Sequence, residues 1–300
     1  MKTIWLLLKD IVVAWNEDRA PRLAAALAFY TMFTLAPMLI VADAIAGRVF
    51  GQQATRDQII AQIEGLIGVE SARAIQDFLE QISASTMPAT APIIAVGTLL
   101  LGIWWVFGEL QDALNTIWKV VPKPGRKLLE VLWARLVSYS LMLGVGFLLL
   151  VSLVLSAALA AFGDALVGLL PTFAAPLRVL ASAISFGVIT LLFAMIYKIV
   201  PDGIIAWGDV WIGAAVTALL YTIGKALISI YLGRSSYASS YGGAGSLVVI
   251  LIYVYYSAQI LFLGAEFTRV YAHRYGSRIV PIDIAVPATE EARAQQGLPL

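Results

Sequence analysis

Six stretches of this chain are apolar over the length of a membrane-crossing helix, and that pattern leaves few folds open. A hydrocarbon layer about 30 Å thick takes roughly 20 helical residues and offers no hydrogen-bond partner to an unpaired backbone group. The runs extend from Leu23 to Gly47, Pro92 to Trp118, Leu132 to Phe162, Leu177 to Val200, Ile204 to Leu232 and Gly245 to Val270. They predict an all-α polytopic membrane protein with six transmembrane helices. Only Pro201, Asp202 and Gly203 separate the fourth run from the fifth, so these two are expected to form an antiparallel hairpin. Composition agrees with the pattern: 60% of the 300 residues are apolar and 13% are charged. Ordinary globular chains carry about 25% charged residues.

The same composition narrows the chemistry. Twenty Lys and Arg against nineteen Asp and Glu leave a net charge of +1, too little to gather nucleic acid. The absence of cysteine removes disulfides, thiolate metal sites and cysteine nucleophiles, and the single His273 cannot build an imidazole cluster alone. The sequence therefore calls for no metal, no cofactor and no catalytic residues. Membrane lipids are the partners it does call for.

Before the first run, Ile4, Leu7, Leu8, Ile11 and Trp15 recur at helical spacing among Lys2, Lys9 and Asp10. An amphipathic helix results, either lying in the membrane interface or packed on the end of the bundle. Lys9, Asp10, Glu17, Asp18 and Arg19 interrupt any run suited to a cleavable signal. With six spans, one side of the membrane receives Lys2, Lys9, Arg19, Arg22, Lys119, Lys123, Arg126, Lys127, Arg135, Lys198, Arg269, Arg274, Arg278 and Arg293. The other receives Arg48, Arg56, Arg73, Arg178 and Arg234. Fourteen against five places both termini in the cytoplasm.

Residues 1–275 are thus expected to form one membrane domain, with an outward helical insertion at 51–90 and a loose cytoplasmic tail at 276–300. In the insertion, Ile59, Ile60, Ile63, Leu66 and Ile67 make one apolar stripe and Ile75, Phe78, Leu79 and Ile82 a second. In the loop after the second run, Lys119, Lys123, Arg126 and Lys127 lie beside Trp118 and Trp133 and suit anionic headgroups, although topology alone also calls for such a cluster.

Polar side chains at membrane depth are costly and normally face a partner or a wet cavity. Asp43 and Lys225 lie at similar distances from the outer ends of their helices, about 7 and 12 Å, which suggests a pair across the first and fifth spans. Glu109 and Asp112 share a face with Thr116 on the second span, while Gln259 and Glu266 share one with Tyr256 on the sixth. Pro37 removes a hydrogen bond inside the first span, where Tyr30 and Thr34 are near enough to satisfy the freed carbonyl or touch a ligand. These nine residues either line a polar path or form a buried network that specifies helix packing.

Three segments together carry a family resemblance: Asp18-Arg-Ala-Pro-Arg-Leu-Ala-Ala-Ala-Leu-Ala-Phe-Tyr30 with Leu35-Ala-Pro37; Leu114-Asn-Thr-Ile-Trp118; and Tyr241-Gly-Gly-Ala-Gly-Ser246 with Tyr255 through Tyr271. Over roughly residues 5 to 275 the chain resembles the YihY/BrkB family of bacterial inner-membrane proteins, formerly labelled ribonuclease BN. The resemblance implies six helices and cytoplasmic termini. It also implies an association with serum resistance and envelope-lipid transport. The ribonuclease label sits poorly with the residues, since metal-assisted phosphodiester cleavage needs clustered acids or histidines. A transporter or flippase-like protein for a lipid, amphiphile or small solute is the leading expectation, and a non-transporting envelope scaffold is the alternative.

Overall fold

The computed structural model describes residues 2–49, 69–84, 90–123, 140, 174–234, 245–282 and 285–289. These form α1 (Lys2–Glu17), α2 (Ala20–Val49), α3 (Val69–Ala84), α4 (Ala91–Trp118), β1 (Val120–Pro122), α5 (Ala174–Ile199), β2 (Gly203–Ile204), α6 (Trp207–Arg234), α7 (Gly245–Tyr275), β3 (Val280–Pro281) and β4 (Ala285–Pro287). Helix dominates because apolar chain can satisfy its backbone groups internally in no simpler way. Among the described residues four segments are long and apolar enough to cross a membrane: Ile93–Trp118, Ser182–Ile199, Trp207–Leu232 and Gly245–Tyr275. The first expected span coincides with α2, whose side chains beyond Val41 are not described, and the third lies outside the described residues apart from Ser140. Four of the six expected crossings therefore stand as candidate spans.

Their surfaces reverse the rule for soluble proteins. Ile93 is 75% exposed and Leu100 63% on α4, Val179 is 70% exposed on α5, and Leu227 is 58% exposed on α6. Meanwhile Glu266, Thr217 and Thr268 are fully buried. Large apolar side chains outside and polar ones inside suit a lipid surround.

The chain divides into two compact units. The first comprises Met1–Asp18, Gln111–Leu220 and Leu263–Leu300. In it the end of α4, the α5–α6 turn and the segment after α7 are laced together by two short antiparallel ladders. β1 pairs with β4, Val121 opposite Val286, and β2 pairs with β3, Gly203 opposite Pro281. The Ile282 N–H extends the second ladder to the Asp202 carbonyl, and the Ala288 N–H extends the first to that of Lys119. The α5–α6 hairpin predicted from Pro201-Asp202-Gly203 is present, with β2 inside its turn. α1 buries Ile11 and Ala14, pairs Asp10 with Arg274 of α7 at 3.1 Å, and leaves Trp5, Leu8 and Val12 exposed.

α6 and α7 meet through a reciprocal small-residue contact. A Cβ at Gly213 would lie 1.9 Å from the Thr268 hydroxyl, and one at Gly264 would lie 1.9 Å from the Thr217 hydroxyl. Glycine is required at both positions because each threonine fills the place of the missing side chain, as small residues do where membrane helices approach closely. Each hydroxyl donates back into its own helix, Thr217 to the Gly213 carbonyl and Thr268 to that of Gly264. The Thr217 hydrogen being spent in this way, the Tyr197 hydroxyl 3.0 Å away must be the donor to Thr217.

The second unit comprises Arg19–Leu110 and Tyr221–Phe262. Its core gathers Ala74 and Ile75 of α3, Ile228 and Leu232 of α6, and Val249, Ile250 and Tyr253 of α7. Ile75 comes from the second of the two stripes expected in the insertion; the first, from Ile59 to Ile67, lies outside the described residues. α4 packs on α2 where a Cβ at Gly102 would meet the Thr34 hydroxyl at 2.6 Å.

Candidate functional site

Polar side chains gather within each of the two units. In the first unit, Glu266 on α7 is fully buried, and the Arg269 guanidinium one turn later donates to its Oε2 from Nη2 at 3.0 Å and from Nε at 3.2 Å. The same Nη2 stands 3.8 Å from Asp18 Oδ2, in the link after α1, and Lys119 donates to Asp18 Oδ1. Two carboxylates thus share two cations. Glu266 Oε1 and Asp18 Oδ2 are buried and receive no hydrogen bond. Lys119 reaches Asp18 from a left-handed backbone at φ 57°, just past the end of α4. Such a conformation costs a non-glycine residue about 1 to 2 kcal/mol.

Nearby in the same unit, the α5–α6 turn is clasped from α4. Gln111 donates to Asp202 Oδ1 at 3.1 Å and Asn115 to Oδ2 at 2.8 Å, while the Asp202 N–H donates to Asn115 Oδ1 at 2.7 Å. Gln111 and Asn115 stand four apart, so one helix face presents both amides. Asp209 on α6 closes a second clasp, accepting from the Ser277 N–H at 2.8 Å and its hydroxyl at 2.9 Å. These bonds occupy the polar groups they join.

In the second unit a narrow crevice between α6 and α7, too tight to hold a water molecule, is lined by Tyr221, Lys225, Ile228, Tyr253, Tyr256, Ser257 and Ile260. The Tyr221 and Tyr253 hydroxyls lie 2.7 Å apart. A Cβ at Gly224 would lie 2.9 Å from the Tyr256 hydroxyl and 2.5 Å from Ile260 Cδ1, so glycine at 224 lets that phenol reach the α6 backbone beside Lys225. Elsewhere in this unit, Tyr30 leans on Trp105 with ring centroids 6.4 Å apart. The Thr34 hydroxyl donates to the Tyr30 carbonyl at 3.0 Å. That carbonyl is not the one Pro37 frees, which belongs to Phe33, one turn before the proline. Pro37 is buried within a continuous α2.

The remaining expected site residues fall as follows. The Asp43 side chain lies outside the described residues, so its pairing with Lys225 does too; Arg126 and Lys127 also lie outside them. Glu109 and Gln259 are half-buried, Asp112 is exposed, and all but Gln259 take part in further polar or electrostatic contacts. Lys123 is exposed, whereas Lys119 is engaged with Asp18. Sequence reasoning passed over Asp18, Asn115, Asp202, Tyr221, Tyr253 and Ser257 as site residues. The amides at 111 and 115 and the tyrosines at 221 and 253 stand at helical spacing from other polar residues, which was the available signal. Among the described residues no group of three or more His, Cys, Asp or Glu is arranged to hold a metal ion.

Lipid-facing apolar helices clasped internally by buried polar networks define a multi-pass helical membrane protein. The family described as Virulence factor BrkB matches residues 11–283, and the chain belongs to that family. Among similar curated proteins is a UPF0761 membrane protein of Ralstonia nicotianae, 31% identical over 264 residues, covering 83% of this chain and 55% of the relative. Another, from Alcanivorax borkumensis, is 26% identical over 261 residues, covering 86% and 58%. A third, from Neisseria meningitidis serogroup B, is 26% identical over 262 residues, covering 86% and 61%. The chain thus spans less than two thirds of the length of these relatives. Their names describe bacterial membrane proteins and specify no reaction. No solved structure matches the chain.

Proposed function

We propose that this protein resides in the bacterial inner membrane with both termini in the cytoplasm and moves a lipid, amphiphile or small solute in envelope maintenance. The observation that carries this reading is the α6–α7 crevice, where a half-buried lysine and four hydroxyl side chains gather on two helices long and apolar enough to cross a membrane. The crevice gathers hydroxyls around one cation, with the Tyr221 and Tyr253 hydroxyls 2.7 Å apart, next to exposed apolar Ile223 and Leu227. α1 lies in the cytoplasmic interface on this reading, docked by Ile11 and Ala14, with Trp5, Leu8 and Val12 turned to lipid.

Reconstitution into liposomes carrying labelled phospholipid tests the proposal: label should equilibrate across the bilayer faster than in empty vesicles. Equal rates across a panel of phospholipids and small amphiphiles would overturn it. The second reading, a non-transporting envelope scaffold, draws on Glu266, fully buried against Arg269 and so committed to holding the helix end. A scaffold would leave every lipid rate at the empty-vesicle value.

A further inference from the structure

In the buried cluster of the first unit, each carboxylate has one oxygen that is satisfied and one that is not. Arg269 spends both its bonds to Glu266 on Oε2, and Lys119 donates to Asp18 Oδ1. Glu266 Oε1 and Asp18 Oδ2 are buried and receive no hydrogen bond. Buried acceptors without a donor are rare and call for a reason. Asp202 and Asp209 are buried too, yet Asp202 accepts from Gln111 and Asn115, one at each oxygen, and Asp209 accepts twice from Ser277.

The two orphaned oxygens belong to neighbouring groups. Asp18 stands within hydrogen-bonding reach of the Glu266 carboxyl, and Arg269 Nη2 meets both, 3.0 Å from Glu266 Oε2 and 3.8 Å from Asp18 Oδ2. An ionised carboxylate has acceptors only, so two of them cannot bond to each other. One proton removes the difficulty, because it makes one oxygen a donor and the other its acceptor, and two carboxylates in one site titrate as a pair around it. The flanking cations do not take its place. The Lys119 and Arg269 side chains are 36% and 19% exposed and so partly hydrated, whereas those of Asp18 and Glu266 are 4% and 0% exposed. Among the described residues the charged and titratable groups nearby are otherwise engaged or turned outward: Tyr197 of α5 is bonded to Thr217, Asp10 of α1 pairs with Arg274, and Glu17 and Arg19 beside Asp18 are exposed. The partial exposure of Lys119 gives the pair a route to water.

We propose that Asp18 and Glu266 form a proton-binding site, the two carboxyls sharing one proton that exchanges with the water beside Lys119. The assignment goes beyond the transport reading and stands whether or not a lipid moves. Infrared spectra of the full chain in lipid nanodiscs, recorded between about pH 5 and 8, test it through the C=O stretch of a protonated carboxyl and its shift in heavy water. Glu266→Gln and Asp18→Asn each place an amide N–H where the proton was, so each should fold and lose one carboxyl's worth of that band. The double variant should lose no more than either single one, since the proton belongs to both residues. Asp77→Asn, at an exposed position on α3, should match the wild type. Variants that keep the wild-type band, as they would if a water bridged two ionised carboxylates, overturn the site. So does loss in one single variant alone, or a loss in the double variant equal to the two singles added. Should neither variant fold, the wild type carries the test: a protonated carboxyl that shifts in heavy water is expected, and none at any pH in the range overturns the assignment.

Discussion

At the scale of single residues, the Asp18, Lys119, Glu266 and Arg269 cluster balances two buried negative charges against two positive ones. Removing one partner of a buried pair leaves the other uncompensated, which costs about 3 to 5 kcal/mol, whereas removing both costs far less. Arg269→Ala should therefore lower the melting temperature in detergent sharply, and Glu266→Gln combined with Arg269→Met should recover most of the loss. If the double variant melts as low as the single one, the pair is not what stabilises this end of α7. The Asp202 clasp answers to a similar calculation. Asn115→Leu deletes two hydrogen bonds, one at Asp202 Oδ2 and one at the Asp202 N–H, so a loss of about 2 to 4 kcal/mol is expected. Thermal unfolding of Asn115→Leu beside Gln111→Leu, which removes the bond to Asp202 Oδ1 and leaves those from Asn115, checks how the clasp is shared. Lys119 adds a constraint of its own: Lys119→Gly relieves a left-handed backbone while discarding the ion pair with Asp18, so the two effects oppose each other.

At the scale of helices, α6 and α7 are held by shape at one point and by chemistry at the next. Gly213 and Gly264 have no room for a side chain, so Gly264→Leu would drive Leu into Thr217 and Tyr197 and force the helices apart. Thr217→Val keeps the shape and loses only the hydroxyl, which inside a membrane is worth roughly 0.6 to 2 kcal/mol. Folded yield after detergent extraction should collapse for Gly264→Leu and remain near the wild type for Thr217→Val. Equal yields would mean that the close approach is not what joins the helices. How much of this was legible beforehand follows from the range of each signal. A run of apolar residues is local, so α4 through α7 were readable as helices, and so was the turn at Pro201-Asp202-Gly203. The stripe at Ile75 was readable as a buried face, but not which helices it meets. Strands of two or three residues, such as those at 203–204 and 280–281, show no periodicity and are defined only by their partners. Likewise nothing near Asp202 in sequence announces amides that lie 87 and 91 residues before it. Lys119, one of four cations suited to lipid headgroups by composition, is in the structure the partner of Asp18.

At the scale of the whole chain, the ladders in the first unit bring the end of α4, the end of α5, the start of α6 and the segment after α7 together. Helices whose ends meet in this way must run alternately, so α4, α5 and α7 point towards this surface and α6 away from it. The side they mark carries Lys119, Lys123, Lys198, Arg269, Arg274 and Arg278, a basic bias that argues for the cytoplasm. The sequence has no cysteine, so single cysteines introduced for labelling face no background. Lys123, Arg278 and Glu80 are all exposed, which makes replacement at each tolerable. In intact cells stripped of their outer membrane, a membrane-impermeant maleimide should react with Glu80→Cys on α3. It should reach Lys123→Cys and Arg278→Cys only after the inner membrane is opened. Reaction at 123 or 278 in sealed cells would invert the orientation. Labelling of 123 and 278 from opposite sides would break the link between the ladders and a single membrane face, and with it the even number of crossings between the second run and the tail.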